Sequence, residues 1–193
     1  MINKTLFAHL QKTLEQHDTK RELIIRESRD ALKLSKKAIY SIHRADIARG
    51  HELLASAHKH LAAAKKHADN NPHLLTTGAY LEAQEEFAEA SFYHAFTANQ
   101  KFPTPETLGV DHDQYLSGMC DLVGELVRAG INAAINEQYD KTRNIKELIA
   151  GIYAELMKFD FRNSPLRRKF DSIKYGLEKL EDVILDLKLR DKL

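Results

Sequence analysis

Apolar residues along this chain recur every three to four positions, and strand-type alternation is absent. The stretches between sparse breaks are rich in Leu, Ala, Glu, Lys and Arg, all good helix formers. The breaks are Gly50, the Asn70-Asn71-Pro72 turn, the Pro103–Gly109 loop, the region of Asp140, and Asn163-Ser164-Pro165. They predict helices over about 3–48, 51–69, 73–99, 112–138, 142–160 and 165–190. The first would be near 65 Å long at about 1.5 Å per residue. A helix of that length needs partners along it. The pattern predicts an all-α fold, an elongated antiparallel bundle of about six to seven helices, as one domain over residues 1–193.

The helical wheel divides the first helix into two faces. Ile24, Ala31, Ala38 and Ile42 share one side and form its core face. Arg26, Arg29, Lys33, Lys36, Lys37 and Arg44 gather on the other, with Tyr40 among them. A basic stripe binds phosphate backbones, and it is also an ordinary solvated face of a bundle. Here only Glu22 and Asp30 lie close by to neutralise it, and the aromatic ring is able to stack on a base. In the last helix Ile173, Leu177, Leu180, Ile184 and Leu187 form an amphipathic seam suited to a helix partner.

Composition narrows the class. Only 8 Gly and 4 Pro in 193 residues argue against a many-stranded β fold. A single cysteine, Cys120, excludes a disulfide framework and a cysteine zinc site, and it reads as a core residue. No apolar run reaches the roughly 18 residues of a membrane span. The N-terminal segment has no signal-peptide core, which points to the cytoplasm. The net charge of +1 hides an asymmetry: residues 1–49 carry +5 and residues 71–138 carry −8. That acidic middle holds the candidate chemistry.

In YLEAQEEFAEASFYHAF, Glu82, Glu85, Glu86 and Glu89 lie on one side of a helix. The same stripe runs on into Tyr93 and Phe96, so part of it is expected to be covered. In YLSGMCDLVGELVRAGIN, Gly118, Asp121, Glu125, Arg128 and Asn132 form a narrow polar stripe. Leu122, Leu126 and Ala129 flank it on one side, and Val123, Val127 and Ile131 on the other. A helix apolar nearly all round is buried, and carboxylates on it need a hydrogen bond, a counter-charge or a metal. Two readings stay open. One is an ion pair with Arg128 or with a basic side chain of another helix. The other is an oxygen-only cluster drawn from both helices, suited to Mg²⁺ or Mn²⁺. A di-iron bundle would need Glu-x-x-His motifs, which the chain lacks. His51, His58, His60 and His67 read as surface histidines, and Asp111-His112-Asp113 as the start of the fourth helix. There is no P-loop, dinucleotide fingerprint or nucleophile elbow.

These segments, with RESRDALKLSKKAIYSIHR before them and RRKFDSIKYGLEKLEDVILDLKLR after, resemble the translin family over nearly the whole chain. The most specific element is the run from Gly118 to Arg128. Within the family the sequence is more similar to the translin-associated factor X (TRAX-like), catalytic branch. The resemblance implies a hollow octameric shell enclosing RNA and a Mg²⁺-dependent endoribonuclease. It implies catalytic and metal-binding roles for Glu86, Glu89, Asp121 and Glu125. The basic stripe of Arg26, Arg29, Lys33, Lys36, Lys37 and Arg44 is expected to supply the phosphate contacts to single-stranded or short RNA, the compactness of the chain points to a homo-oligomer, and no membrane partner is expected. The alternative is a translin-like shell that binds RNA or single-stranded DNA without cleaving it. Glu82 and Glu85 add acid beyond the family's usual pair, and the protein is expected to lack the long extensions of eukaryotic members.

Overall fold

The computed structural model describes residues 2–69 and 71–192, so Asn70 of the expected turn lies outside the described residues. Among the described residues there are seven α-helices and no strand, as the periodicity predicts. They are α1 (Lys4–His43), α2 (Ile47–Ala68), α3 (Gly78–Thr97), α4 (Pro105–Leu108), α5 (His112–Ile135), α6 (Tyr139–Leu156) and α7 (Pro165–Leu189). The chain forms two compact units, one ending at Phe87 and the other beginning at Ala88.

In the first unit α1 and α2 pair as an antiparallel hairpin. Its register is marked by Ile42 against Gly50, Glu27 against His60, and Lys20 against Asp69. The predicted core face of α1 is buried as expected, Ile24, Ala31, Ala38 and Ile42 included. The break after it is misplaced in the sequence reading. Gly50 is not a turn residue: it lies inside α2, where a Cβ would stand 2.7 Å from Ile42 Cγ1. Its missing side chain lets the two helices close on each other just beyond the turn. The chain reverses earlier, at Arg44–Asp46. There Ala45 takes the left-handed region at φ 63°, and the Asp46 side chain caps α2 by accepting from Arg49 N. The expected helix over 73–99 is likewise divided. A 3-10 turn, Pro72–Thr76, precedes α3, and Thr77 Oγ1 donates to Leu74 O at 2.7 Å between them.

In the second unit α5 is the central element, with Leu122 and Leu126 fully buried. The α7 seam finds its partner within the same chain, since Ile173 and Leu180 are buried and α7 packs on α5 and α6. Gly130 of α5 is the tightest point. A Cβ there would meet Leu180 Cδ2 at 2.9 Å and Ile145 Cγ2 at 3.3 Å, and Thr142 Oγ1 donates to its carbonyl at 3.0 Å. Gly130→Val is therefore expected to destabilise by about 1–3 kcal/mol through overpacking, read as a lower urea midpoint at unchanged slope. The loop expected over Pro103–Gly109 contains one helical turn, α4, capped by Thr104 and ended by Gly109 at φ 67°. Among the described residues no helix is long and apolar enough to cross a membrane.

Candidate functional site

The polar side of α1 is laid out as its spacing predicts. Arg26, Arg29, Lys33, Lys36, Lys37, Tyr40 and Arg44 are all exposed. A groove of about 460 Å³ runs along them, lined by Arg29, Leu32, Lys33, Lys36, Lys37 and Tyr40. Its walls are mostly the carbon stems of long cations, whose charged heads stand in water. The surface is thus continuous, positively charged and open, the arrangement a phosphate backbone needs.

The carboxylates behave differently from a solvated acidic face. On α3, Glu82 is exposed, while Glu85, Glu86 and Glu89 are half-buried. Glu86 lies 3.7 Å from Lys36 of the basic face, so acidic and basic stripes touch within the first unit. On α5 Leu122, Val123, Leu126 and Val127 of the apolar flanks are buried, Ala129 and Ile131 are half-buried, and Asp121 and Glu125 are half-buried between them. Asp121 accepts from Lys169 Nζ of α7 at 2.5 Å. For Asp121 the counter-charge is thus a basic side chain of another helix. Lys169 is the partner of Asp121 that the sequence does not reveal. It lies 48 positions away, and no periodicity couples two helices across that separation. Oxygen donors of this kind suit Mg²⁺. Among the described residues, however, no group of three or more His, Cys, Asp or Glu is placed so that it could hold a metal ion.

The covered end of the α3 stripe is the expected one. Tyr93 is buried and stacks on Phe96 at 6.3 Å. Burial first, and the nearby Glu125 carboxylate second, push the Tyr93 phenol up to about 12, with Arg128 pulling the other way. A phenol whose pKa is raised on folding stabilises the native state fully below its unfolded value, near 10, and loses that contribution as pH rises toward 12. Thermal melts from pH 9 to 12 are expected to show a drop above pH 10 that is smaller in Tyr93→Phe. In the first unit, Glu27 Oε2 lies 2.7 Å from His60 Nδ1. That hydrogen bond holds the Glu27 carboxyl below its ordinary range. His60 is therefore half-buried and bonded, not the plain surface histidine the sequence suggests, and His58 stacks on Phe87. Cys120 is buried, as read.

The family model described as the Translin family matches residues 19–191. Human translin is 31% identical over 81 residues, covering 42% of this chain and 36% of that protein, and chicken translin is similar. The matched part spans about a third of those translins. An uncharacterized protein of Methanocaldococcus jannaschii is 27% identical over 192 residues, covering 96% of this chain and 86% of its own. Among solved structures, AfC3PO has a TM-score of 0.84 at 26% identity, covering 95% of this chain and 97% of its own. Apo-NeC3PO has a TM-score of 0.85 at 24% identity, covering 96% and 97%. AfC3PO in complex with duplex RNA has a TM-score of 0.81 at 24% identity, covering 95% and 97%.

Proposed function

Because this chain belongs to the translin family, we propose that it binds RNA along the exposed face of α1 and cleaves it with the help of Mg²⁺. The observation that carries the binding reading is the open groove of Arg29, Lys33, Lys36 and Lys37, with Arg26 and Arg44 beside it. The AfC3PO complex with duplex RNA supports RNA as the ligand class. Salt titration of a fluorescent single-stranded RNA tests it. The logarithm of the affinity should fall linearly with log salt, and salt-insensitive binding, or none, would remove the reading.

The cleavage reading rests on the half-buried carboxylates. Glu86 and Glu89 of α3 and Asp121 of α5 are the residues that would hold the cation, with Glu125 completing its surroundings, and to do so their side chains would have to turn from their present placement, which brings no three of them together. Bound Mg²⁺, or Mn²⁺ in its place, would activate a water and stabilise the leaving oxygen. Lys36 and Lys169 balance the charge of Glu86 and Asp121. Binding of a cation would free both lysines to face phosphate. This acidic set favours the factor X-like, catalytic branch over a shell that only binds, since unneeded carboxylates would repel a phosphate backbone.

The protein would act as a homo-oligomer, in this reading an octamer in the cytoplasm. The supporting observation is the start of α1. The Lys20–Asp69 pair lies just past the last residue of α2, so residues before it project beyond the hairpin. Leu6, Phe7, Leu10 and Leu14 lie on one side of that segment and are exposed. Light scattering should give a mass of several 22.1 kDa chains. A stable monomer would overturn this part, and Leu10→Asp should shift the assembly toward smaller species.

A further inference from the structure

We propose that Tyr40 is a stacking platform for one unpaired nucleobase of a bound RNA strand. The inference deepens the RNA-binding reading and rests on it. An exposed aromatic ring by itself means little. The position of this one carries the argument. Tyr40 is 60% exposed and sits where two grooves meet. On one side the basic groove of α1 ends against it. On the other is a polar pocket of about 390 Å³, lined by Tyr40, Ser41, Arg44 and Asp46. That volume lies in the roughly 300–1,000 Å³ range of small-ligand pockets.

Four cations share the ring's side of the helix. Lys33, Lys36 and Lys37 precede it by seven, four and three residues, and Arg44 follows by four. These are the spacings that share a helix face. The Arg44 guanidinium lies over one face of the ring, 5.8 Å from its centroid and within cation–π reach, so it steadies the ring from that side and a base would stack on the other. A strand whose phosphates follow Lys33, Lys36 and Lys37 would deliver its next base to the Tyr40 face. Ser41 and Asp46 would then offer acceptors to the amino and imino hydrogens of that base, and Arg44 would offer donors to its carbonyls.

A base inside a duplex is stacked on both faces and its ring cannot reach a tyrosine. The platform therefore selects single strands, or duplexes with unpaired ends. From Arg29 to Arg44 the helix advances about 22 Å. At roughly 3.4 Å per stacked nucleotide, that is a footprint of about six nucleotides.

The test uses an eight-nucleotide RNA carrying one 2-aminopurine, whose fluorescence is quenched by stacking, and a blunt duplex of equal length. Wild type and Tyr40→Phe should quench the probe. Tyr40→Ala should lose the quenching and bind the single strand about 5- to 150-fold more weakly. Its affinity for the blunt duplex should change less than twofold. Wild-type affinity of Tyr40→Ala for the single strand, with Lys33→Ala weakened, would overturn the platform and leave the basic groove standing. Equal weakening on both RNAs, or failure of Tyr40→Phe to restore binding, would overturn it too. Wild type binding neither RNA would remove the platform and the RNA-binding reading together.

Discussion

Glu89→Gln is expected to abolish RNA cleavage while leaving RNA binding intact. Glu89 is half-buried on α3, one turn beyond Glu86 on the same face. Neutralising it removes one oxygen anion from the set proposed to hold Mg²⁺. Loss of a charge-stabilising group in a nuclease site is expected to cost two orders of magnitude or more in rate, roughly the scale of removing a preorganised stabilising donor. The same change removes a charge that repels phosphate, so affinity should stay equal or rise slightly. Gln keeps the shape of Glu, so helix content and melting temperature should hold. Single-turnover cleavage and equilibrium binding on one RNA measure both effects. Loss of binding together with loss of cleavage would mean that Glu89 serves the fold or the RNA surface instead.

The converse variant separates the two surfaces. Lys33→Ala and Lys37→Ala each remove an exposed cation from the groove of α1. Each should weaken single-stranded RNA binding and lower the magnitude of the salt slope by about 0.7, the value for one phosphate contact on a single strand. At saturating RNA the cleavage rate should be unchanged. Neither side chain is buried, so stability should move by less than about 0.5 kcal/mol. Unchanged affinity in the double variant would assign the stripe to a solvated helix face and move the RNA elsewhere.

Much of this is legible in the sequence alone. The core and basic faces of α1 follow from residue spacing alone, because one helix turns each side chain by a fixed angle. The burial of α5 was readable for the same reason: its apolar flanks leave one narrow polar stripe. Turn chemistry was harder. Gly50 reads as a break, yet the reversal falls at Ala45, a residue with no preference for the left-handed region it occupies. The visible signal was Asp46, a capping residue directly before α2. The one-turn helix α4 also carried a signal, Thr104-Pro105 at its start and Gly109 at its end. The Asp121–Lys169 and Glu86–Lys36 pairs were not readable at residue level, because each joins helices far apart in sequence. The need for a counter-charge was legible, and its source was not. Metal binding at these carboxylates rests on their chemistry and on family resemblance. Glu86 and Asp121 are each paired with a lysine, so a bound cation would have to compete with Lys36 and Lys169.

The most direct measurement is one incubation in two conditions. Purified protein is mixed with end-labelled single-stranded RNA, with Mg²⁺ in one arm and with excess EDTA in the other, and both binding and product length are followed. Bound RNA in both arms, with cleavage only where Mg²⁺ is present and restored to the EDTA arm by added Mg²⁺, is the predicted result. Cleavage that persists in EDTA, or no bound RNA in either arm, would contradict it.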